Sequence, residues 1–350
     1  MKVVAWPAFS NKEWNPYNSL LYSEIQKKGV TVRDFDGRLF SNFDGVDIFH
    51  IHWPDLFLKR RFWLQAALAC ASLLIILKRA RRAGARVVWT AHNLQSHENR
   101  YPLLEKTFWS LYVRQLDGVI SMSTGGLAQT RKLRLGTREI PCAVIPHGHY
   151  RETYPDQTNR VAARERFDIP PTTLVFGQFG LIRPYKGLEK LVNSWTSWRG
   201  RPEDALLLIA GHPSDKHLNE FLILHASQLK AIQYHPGSID AGDFQYFFRA
   251  ADIIVLPYQR ILNSGAALLA LSFNKPVILP RTDALSELRD QVGPDWIYLY
   301  EGDFNDTIMR DAVLWFEKRT ATAVAPLDCY NWDIIAEKTV SFYSSLRKQT

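Results

Sequence analysis

The chain has 350 residues, 46% hydrophobic and 13% aromatic, with 43 Lys and Arg against 35 Asp and Glu for a formal charge of +8. That length fills two or three domains of common size, and the composition excludes a disordered or low-complexity chain. Cys70, Cys142 and Cys329 lie far apart, which excludes a disulfide framework or a zinc site and fits a reducing cytoplasm.

Hydrophobic periodicity predicts a strand at 3–6, a loop, a helix at 19–28 and strands at 31–35 and 48–52. An apolar helix at 62–82 follows, then a strand at 87–90, a helix at 101–114, a strand at 118–122, a helix at 126–133 and a strand at 142–145. No cleavable signal peptide is expected, because Met1 to Trp6 runs straight into the first strand. Residues 150–171 are polar, with a short helix at 161–167, and read as a connection. Beyond it, strands at 174–176, 206–210, 231–234, 253–256, 277–279 and 297–299 alternate with helices at 188–198, 217–228, 243–250, 264–273 and 285–292. Helices at 307–319 and 332–347 complete the chain. Such alternation implies an α/β chain of two Rossmann-like domains, each a parallel sheet whose ligands lie beyond the carboxyl ends of the strands.

The most informative stretch is Phe176-Gly177-Gln178-Phe179-Gly180-Leu181-Ile182-Arg183-Pro184-Tyr185-Lys186-Gly187, a strand, glycine-bearing loop and helix start. Glycine lets a backbone approach a ligand, the helix start offers unpaired N–H groups, and Arg183 and Lys186 can meet two phosphates. A second element, 255–280, passes from a strand through a polar loop containing Tyr258 to a small-residue helix that opens at Ser264-Gly265-Ala266. Ser264 is a natural N-cap. Two helix N-termini on one side of a sheet suit a diphosphate.

The order Gly-x-x-Arg-x-x-Lys-Gly, Ala-Asp-Ile-Ile-Val-Leu-Pro, a small-residue helix and Lys-Pro-Val-Ile resembles the C-terminal half of GT-B glycosyltransferases that use nucleotide sugars. The resemblance implies two domains facing a cleft: 1–155 for the acceptor, 156–331 for the nucleotide sugar, and a tail at 332–350 crossing back to the first domain. It also implies that Arg183 and Lys186 hold the donor diphosphate, with Gly180, His212, Tyr234, Tyr258, Ser264, Gly265 and Ala266 around the donor. The retaining branch usually carries two glutamates eight residues apart, and those places hold Ile261 and Leu269 here. The ribose therefore lacks its usual carboxylate partner. The His-Asn loop, the Ile-Pro-His-Gly-His-Tyr segment and the helix after Ser264 are most similar to bacterial exopolysaccharide enzymes, including β-mannosyltransferases. The implied reaction moves a hexose, first mannose from GDP-mannose, to a lipid-linked oligosaccharide or polysaccharide. With the glutamates missing, a non-catalytic scaffold that binds nucleotide sugar or membrane is the alternative.

Lys59, Arg60, Arg61, Lys78, Arg79, Arg81 and Arg82 flank an uncharged run of sixteen residues at 62–77, shorter than the ~20 a spanning helix needs. We expect a helix packed on a sheet, with basic ends touching an anionic membrane surface and the protein peripheral on the cytoplasmic face of the plasma membrane. The positive charge does not point to nucleic acid, because the cations gather around an apolar helix and a glycine loop.

Glycosyl transfer needs stabilisation of a leaving diphosphate and, where configuration inverts, a base for the acceptor hydroxyl. Five of the ten histidines fall in three loops after first-domain strands, at 52–55, 92–98 and 147–150. Glu98 or His97 is the expected base, with Asp55 as runner-up and His92 contacting the donor sugar or orienting its loop. Asn15, His52, Trp53, Asp55, Asn93, His147 and Gly148 are expected on the acceptor side; Pro146-His147-Gly148 resembles the Pro-Asn-Gly that closes the first domain in many such enzymes. No Asp-x-Asp triplet occurs, so a metal-free arrangement without cofactor is expected.

Overall fold

Short apolar strands separated by amphipathic helices leave each strand buried on both faces, which favours parallel sheets covered by helices on either side. The computed structural model describes residues 1–94, 100–320 and 324–347. It divides into two units, one formed by Met1–Gly148 with Cys329–Thr350 and the other by His149–Asp328. The dividing points therefore fall at 148/149 and 328/329 rather than at the expected 155/156 and 331/332. Residues 150–155 already belong to the second unit, where Tyr150 is buried and its amide donates to Ser272 Oγ at 2.8 Å.

In the first unit, strands β1 (Lys2–Trp6), β2 (Thr31–Asp34), β3 (Ile48–Ile51), β4 (Arg86–Thr90), β5 (Gly118–Ser121) and β6 (Cys142–Val144) form one parallel sheet. Their order is β2-β1-β3-β4-β5-β6, so the crossover direction reverses between β1 and β3. Ligands of such sheets bind outside the carboxyl ends at this reversal. The covering helices are α1 (Tyr17–Lys27), α2 (Trp63–Arg82), α3 (Pro102–Tyr112) and α4 (Thr124–Thr130). α2 is twenty residues long and apolar enough to cross a membrane by length and composition. One of its faces, including Ala66, Cys70, Leu73, Leu77 and Ala80, is buried in the unit.

The second unit opens with α5 (Arg160–Glu165) and contains β7 (Val175–Phe179), α6 (Leu188–Ser197), β8 (Leu206–Gly211), α7 (Lys216–Gln228), β9 (Ile232–Pro236), α8 (Phe244–Ala250) and β10 (Ile253–Val255). It continues through α9 (Gly265–Ser272), β11 (Val277–Pro280), α10 (Asp283–Val292), β12 (Ile297–Tyr300) and α11 (Asp306–Glu317). The parallel strand order β12-β11-β10-β7-β8-β9 makes β7 and β10 neighbours at the reversal point. β7 runs three residues past its expected end. Gly177 and Gln178 lie in the middle of the sheet, paired with β8, and Gln178 is fully buried; a side chain at Gly177 would collide with the Phe179 ring and Ala251, so only glycine fits there.

The last helix, α12 (Trp332–Arg347), belongs to the first unit. Its Trp332, Ile335, Ala336, Tyr343 and Leu346 join Val3, Ala5, Leu21, Ile48, Val88 and Ile120 in one apolar core. The first unit is therefore built from both ends of the chain.

Candidate functional site

In the second unit the loops that leave β7 and β10 abut. After β7 the chain turns at Gly180, whose φ of 101° is open to glycine and whose missing side chain leaves open space beside the backbone. A short 3-10 turn, Pro184–Lys186, then leads into α6. Gly187 enters the helix at a φ of 74°, and a Cβ there would lie 2.0 Å from the Pro257 carbonyl oxygen. The Gln259 amide donates to the Tyr185 carbonyl at 2.9 Å, and the Ile182 amide donates to the His212 carbonyl at 2.8 Å. These contacts fix the turn that carries Arg183 and Lys186.

Lys186 is only 8% exposed, and neither it nor Arg183 has an ion-pair partner among the described residues. Burial, reinforced by the like charge of Arg183, pulls the Lys186 ammonium from 10.5 down to about 8. The Arg183 Nε is buried without a hydrogen-bond partner. A buried ammonium beside a half-buried guanidinium, with no counter-charge among the described residues, is costly until an anion arrives. At the neighbouring loop Ser264 caps α9, its Oγ accepting from the Ala267 amide at 3.0 Å and lying 3.1 Å from the buried Tyr258 hydroxyl. Gly265 and Ala266 form the half-buried first turn of that helix.

Two expected donor residues have other duties. Tyr234 lies within β9, and its hydroxyl donates to Asn219 Oδ1 of α7 at 2.8 Å; its ring packs on the core. The Tyr258 hydroxyl is likewise spent on Ser264, so its contribution is to hold the cap. The His212 side chain is exposed.

In the first unit, the carboxyl ends of β1, β3 and β4 collect histidines and tyrosines. His52 is fully buried, not surface-lining as its place after β3 suggests; its Nε2 lies 2.6 Å from the Tyr22 hydroxyl and its Nδ1 3.0 Å from His92 Nε2. Trp53 stacks on the His92 ring at 4.4 Å. Tyr17 packs edge-on against His92 and tilted against His147 at 4.9 and 4.6 Å. Two residues before Tyr17, Asn15 Oδ1 accepts from the Tyr17 amide at 3.1 Å. Trp332 covers Gly148, where a Cβ would sit 2.2 Å from the indole. Burial pulls His147 down to about 4 and holds both His52 and His92 well below the usual imidazole range, so all three are neutral. Asn93 is half-buried beside them.

Asp55 is not available as a base. It is 1% exposed inside the turn Pro54–Leu58 and paired with Lys59 at 3.2 Å. His97 and Glu98, the first-choice bases, lie outside the described residues. Among the described residues no three His, Cys, Asp or Glu side chains gather closely enough to hold a metal ion.

The partners Tyr17, Tyr22, His50, Trp332 and Tyr343 were missed by sequence reasoning. One signal was present: His50 in β3 and His52 just past its end are two residues apart, which puts both on one face of an extended chain.

The basic residues expected at a membrane divide into two groups. At the carboxyl end of α2, Arg81 pairs with Asp117 at 3.2 Å and Arg79 lies over the Phe40 ring at 5.3 Å, while Lys78 and Arg82 are exposed. At the amino end, Arg60 and Arg61 are exposed beside Phe62, Trp63, Leu64 and Leu68, each more than half exposed.

A family model described as "Glycosyl transferases group 1" matches residues 170–312. A GDP-mannose:glycolipid 4-beta-D-mannosyltransferase of Xanthomonas campestris pv. campestris is 31% identical over 308 residues, covering 85% of this chain and 79% of the relative. A solved sucrose-phosphate synthase from Thermosynechococcus elongatus superposes with a TM-score of 0.70 at 15% identity, covering all of both chains. Anabaena Alr3699/HepE, solved in complex with UDP-glucose, gives 0.66 at 15% identity over 100% of this chain and 99% of that one.

Proposed function

Because the chain belongs to the group 1 glycosyltransferases of GT-B architecture, we propose that it transfers mannose from GDP-mannose to a lipid-linked saccharide. The observation that carries this reading is the buried, unpaired Lys186 beside Arg183, at the reversal point of the second unit's sheet. A diphosphate supplies the missing counter-charge, and the amino end of α9 offers it further N–H donors. As the bond to mannose breaks, charge grows on that diphosphate, and the same cations stabilise the departure. This is the arrangement we assign in place of a metal ion.

GDP-mannose and a glycolipid acceptor are favoured because the 31% identical relative is named for both. The first unit is assigned to the acceptor, with neutral His92 toward its hydroxyl; His97 or Glu98, outside the described residues, remains the proposed base. We assign the protein to the cytoplasmic face of the membrane through Arg60, Arg61 and the exposed Phe62, Trp63, Leu64 and Leu68. A cavity of about 500 Å³ along α3, lined by Lys106, Arg114, Arg134 and Arg138 with Glu105, adds cationic surface to the helix that packs on α2.

The test is a panel of nucleotide sugars offered to the purified protein with lipid-linked acceptors, with the product linkage read by NMR. Mannosyl transfer from GDP-mannose alone is expected. Efficient use of a different donor in its place overturns the assignment.

A further inference from the structure

A hydrogen-bonded chain of side chains runs through the interior of the first unit and has one open end. Thr90 Oγ1 lies 2.8 Å from His50 Nε2. His50 Nδ1 lies 2.6 Å from the Tyr343 hydroxyl and 2.8 Å from the Tyr22 hydroxyl. The Tyr22 hydroxyl continues to His52 Nε2 at 2.6 Å, and His52 Nδ1 to His92 Nε2 at 3.0 Å. His50, His52 and Thr90 are at most 1% exposed. His92 Nδ1 has no hydrogen-bond partner among the described residues and is the free end.

Neutral imidazole carries one proton, so the direction of such a chain decides the tautomer of every ring in it. Were the chain to run inward from His92 Nε2–H, Thr90 would have to accept from His50. Its own O–H, buried and with no second partner among the described residues, would be left unpaired, which costs about 1–3 kcal/mol. Running outward, Thr90 donates to His50 Nε2 and His50 Nδ1–H donates to the tyrosine oxygens. The Tyr22 O–H then donates to His52 Nε2, and His52 Nδ1–H donates to His92 Nε2. The Tyr343 O–H turns to the Tyr22 oxygen, with which it is hydrogen-bonded. Every buried proton from Thr90 to His92, the Tyr343 branch included, is then paired, and the remaining N–H is the outward one on His92.

We propose that Thr90, His50, Tyr22 and His52 are positioning residues that hold His92 as the Nδ1–H tautomer, a neutral hydrogen-bond donor toward a substrate oxygen rather than a base. Burial supports this, since it holds the imidazoles unprotonated and raises both tyrosines, keeping their protons in the chain. The proposal relies on the transferase reading only for what His92 meets: an oxygen of the bound sugar or its acceptor. It moves the task of taking the acceptor proton to another group.

The direct test is ¹⁵N NMR of imidazole-labelled protein, assigned through His92→Gln and His52→Gln, because protonated and unprotonated ring nitrogens have well-separated shifts. His92 Nδ1 is expected in the protonated range and Nε2 in the unprotonated range, with a Tyr22→Phe variant shifting both toward averaged values. An unprotonated His92 Nδ1 in the wild-type protein overturns the proposal, whether or not the protein proves to transfer mannose. Activity gives a second reading. His92→Asn places an amide near the Nδ1 position, so it is expected to keep transfer within about tenfold of wild type, whereas His92→Ala loses about a hundredfold or more. Equal loss in both variants, with His92 Nδ1 unprotonated, identifies His92 as a base.

Discussion

The Gln259 amide donates to the Tyr185 carbonyl at 2.9 Å, tying the loop that leaves β7 to the loop that leaves β10. This bond, with Gly187 pressed against the Pro257 carbonyl, keeps Lys186 under cover, where it has no ion-pair partner among the described residues. The cation is therefore prepared for an anion before one binds, which is what makes its titration informative.

Donor affinity should depend on pH through Lys186. In the free protein its ammonium loses its proton near pH 8, and a bound diphosphate favours the charged form and raises that value again. The bound state then holds a proton that the free state lacks above pH 8. Affinity for GDP-mannose should be level below about pH 7 and fall by up to about tenfold per pH unit as pH rises through 8. Calorimetric titrations between pH 6.5 and 9.5 check this, and an affinity that stays flat to pH 9 contradicts it.

Acid should loosen the first unit before the second. Burial lowers His50 to about 3 and His147 to about 4, and pulls His52 and His92 down with them. In the unfolded chain these rings take up protons near 6.5, so below that pH the unfolded state binds more protons. Stability is then lost as pH falls, by about 1.4 kcal/mol per pH unit for each fully titrating ring. Hydrogen exchange at pH 7.5 and 5 should show β1, β3 and β4 losing protection while β7 and β8 keep theirs. Equal protection at both pH values would count against the neutral cluster.

Most of the secondary structure was legible because apolar strands and capped amphipathic helices announce themselves locally. Ser264 is an example: a hydroxyl before a small-residue helix is an N-cap, and it is one here. Arg183 and Lys186 were legible as a pair because glycine punctuation surrounds them. The extent of β7 was not, since Gly177 and Gln178 look like loop residues until Phe179 and Ala251 are seen to leave no room for a side chain. Nor was the role of His52, whose partners Tyr22 and His92 lie 30 and 40 residues away and meet it only when the sheet forms. Asp55 misled because polar residues after a strand suggest a site, whereas Lys59 one turn later neutralises it inside the protein.

Membrane attachment should depend on the amino end of α2 more than on its carboxyl end. Arg81 already has Asp117 as a partner, whereas Phe62, Trp63 and Leu64 stand exposed beside Arg60 and Arg61. Each large apolar side chain that enters an interface is worth about 1.5–3 kcal/mol at most. Replacing Phe62, Trp63 and Leu64 by Ser should therefore reduce sedimentation with anionic phosphatidylglycerol vesicles far more than replacing Arg79, Arg81 and Arg82 by Ser. If the second variant detaches and the first does not, the docking face is at the other end of the helix.

The most direct measurement is calorimetric titration of GDP-mannose into the wild-type protein, Arg183→Ala and Lys186→Ala, with folding of each checked by circular dichroism. A charge-assisted hydrogen bond is worth about 1.5–3 kcal/mol, so each variant should bind roughly ten- to a hundredfold more weakly than wild type while its fold is unchanged. If both folded variants bind GDP-mannose as tightly as the wild-type protein, the diphosphate is held elsewhere and the account of this site is wrong.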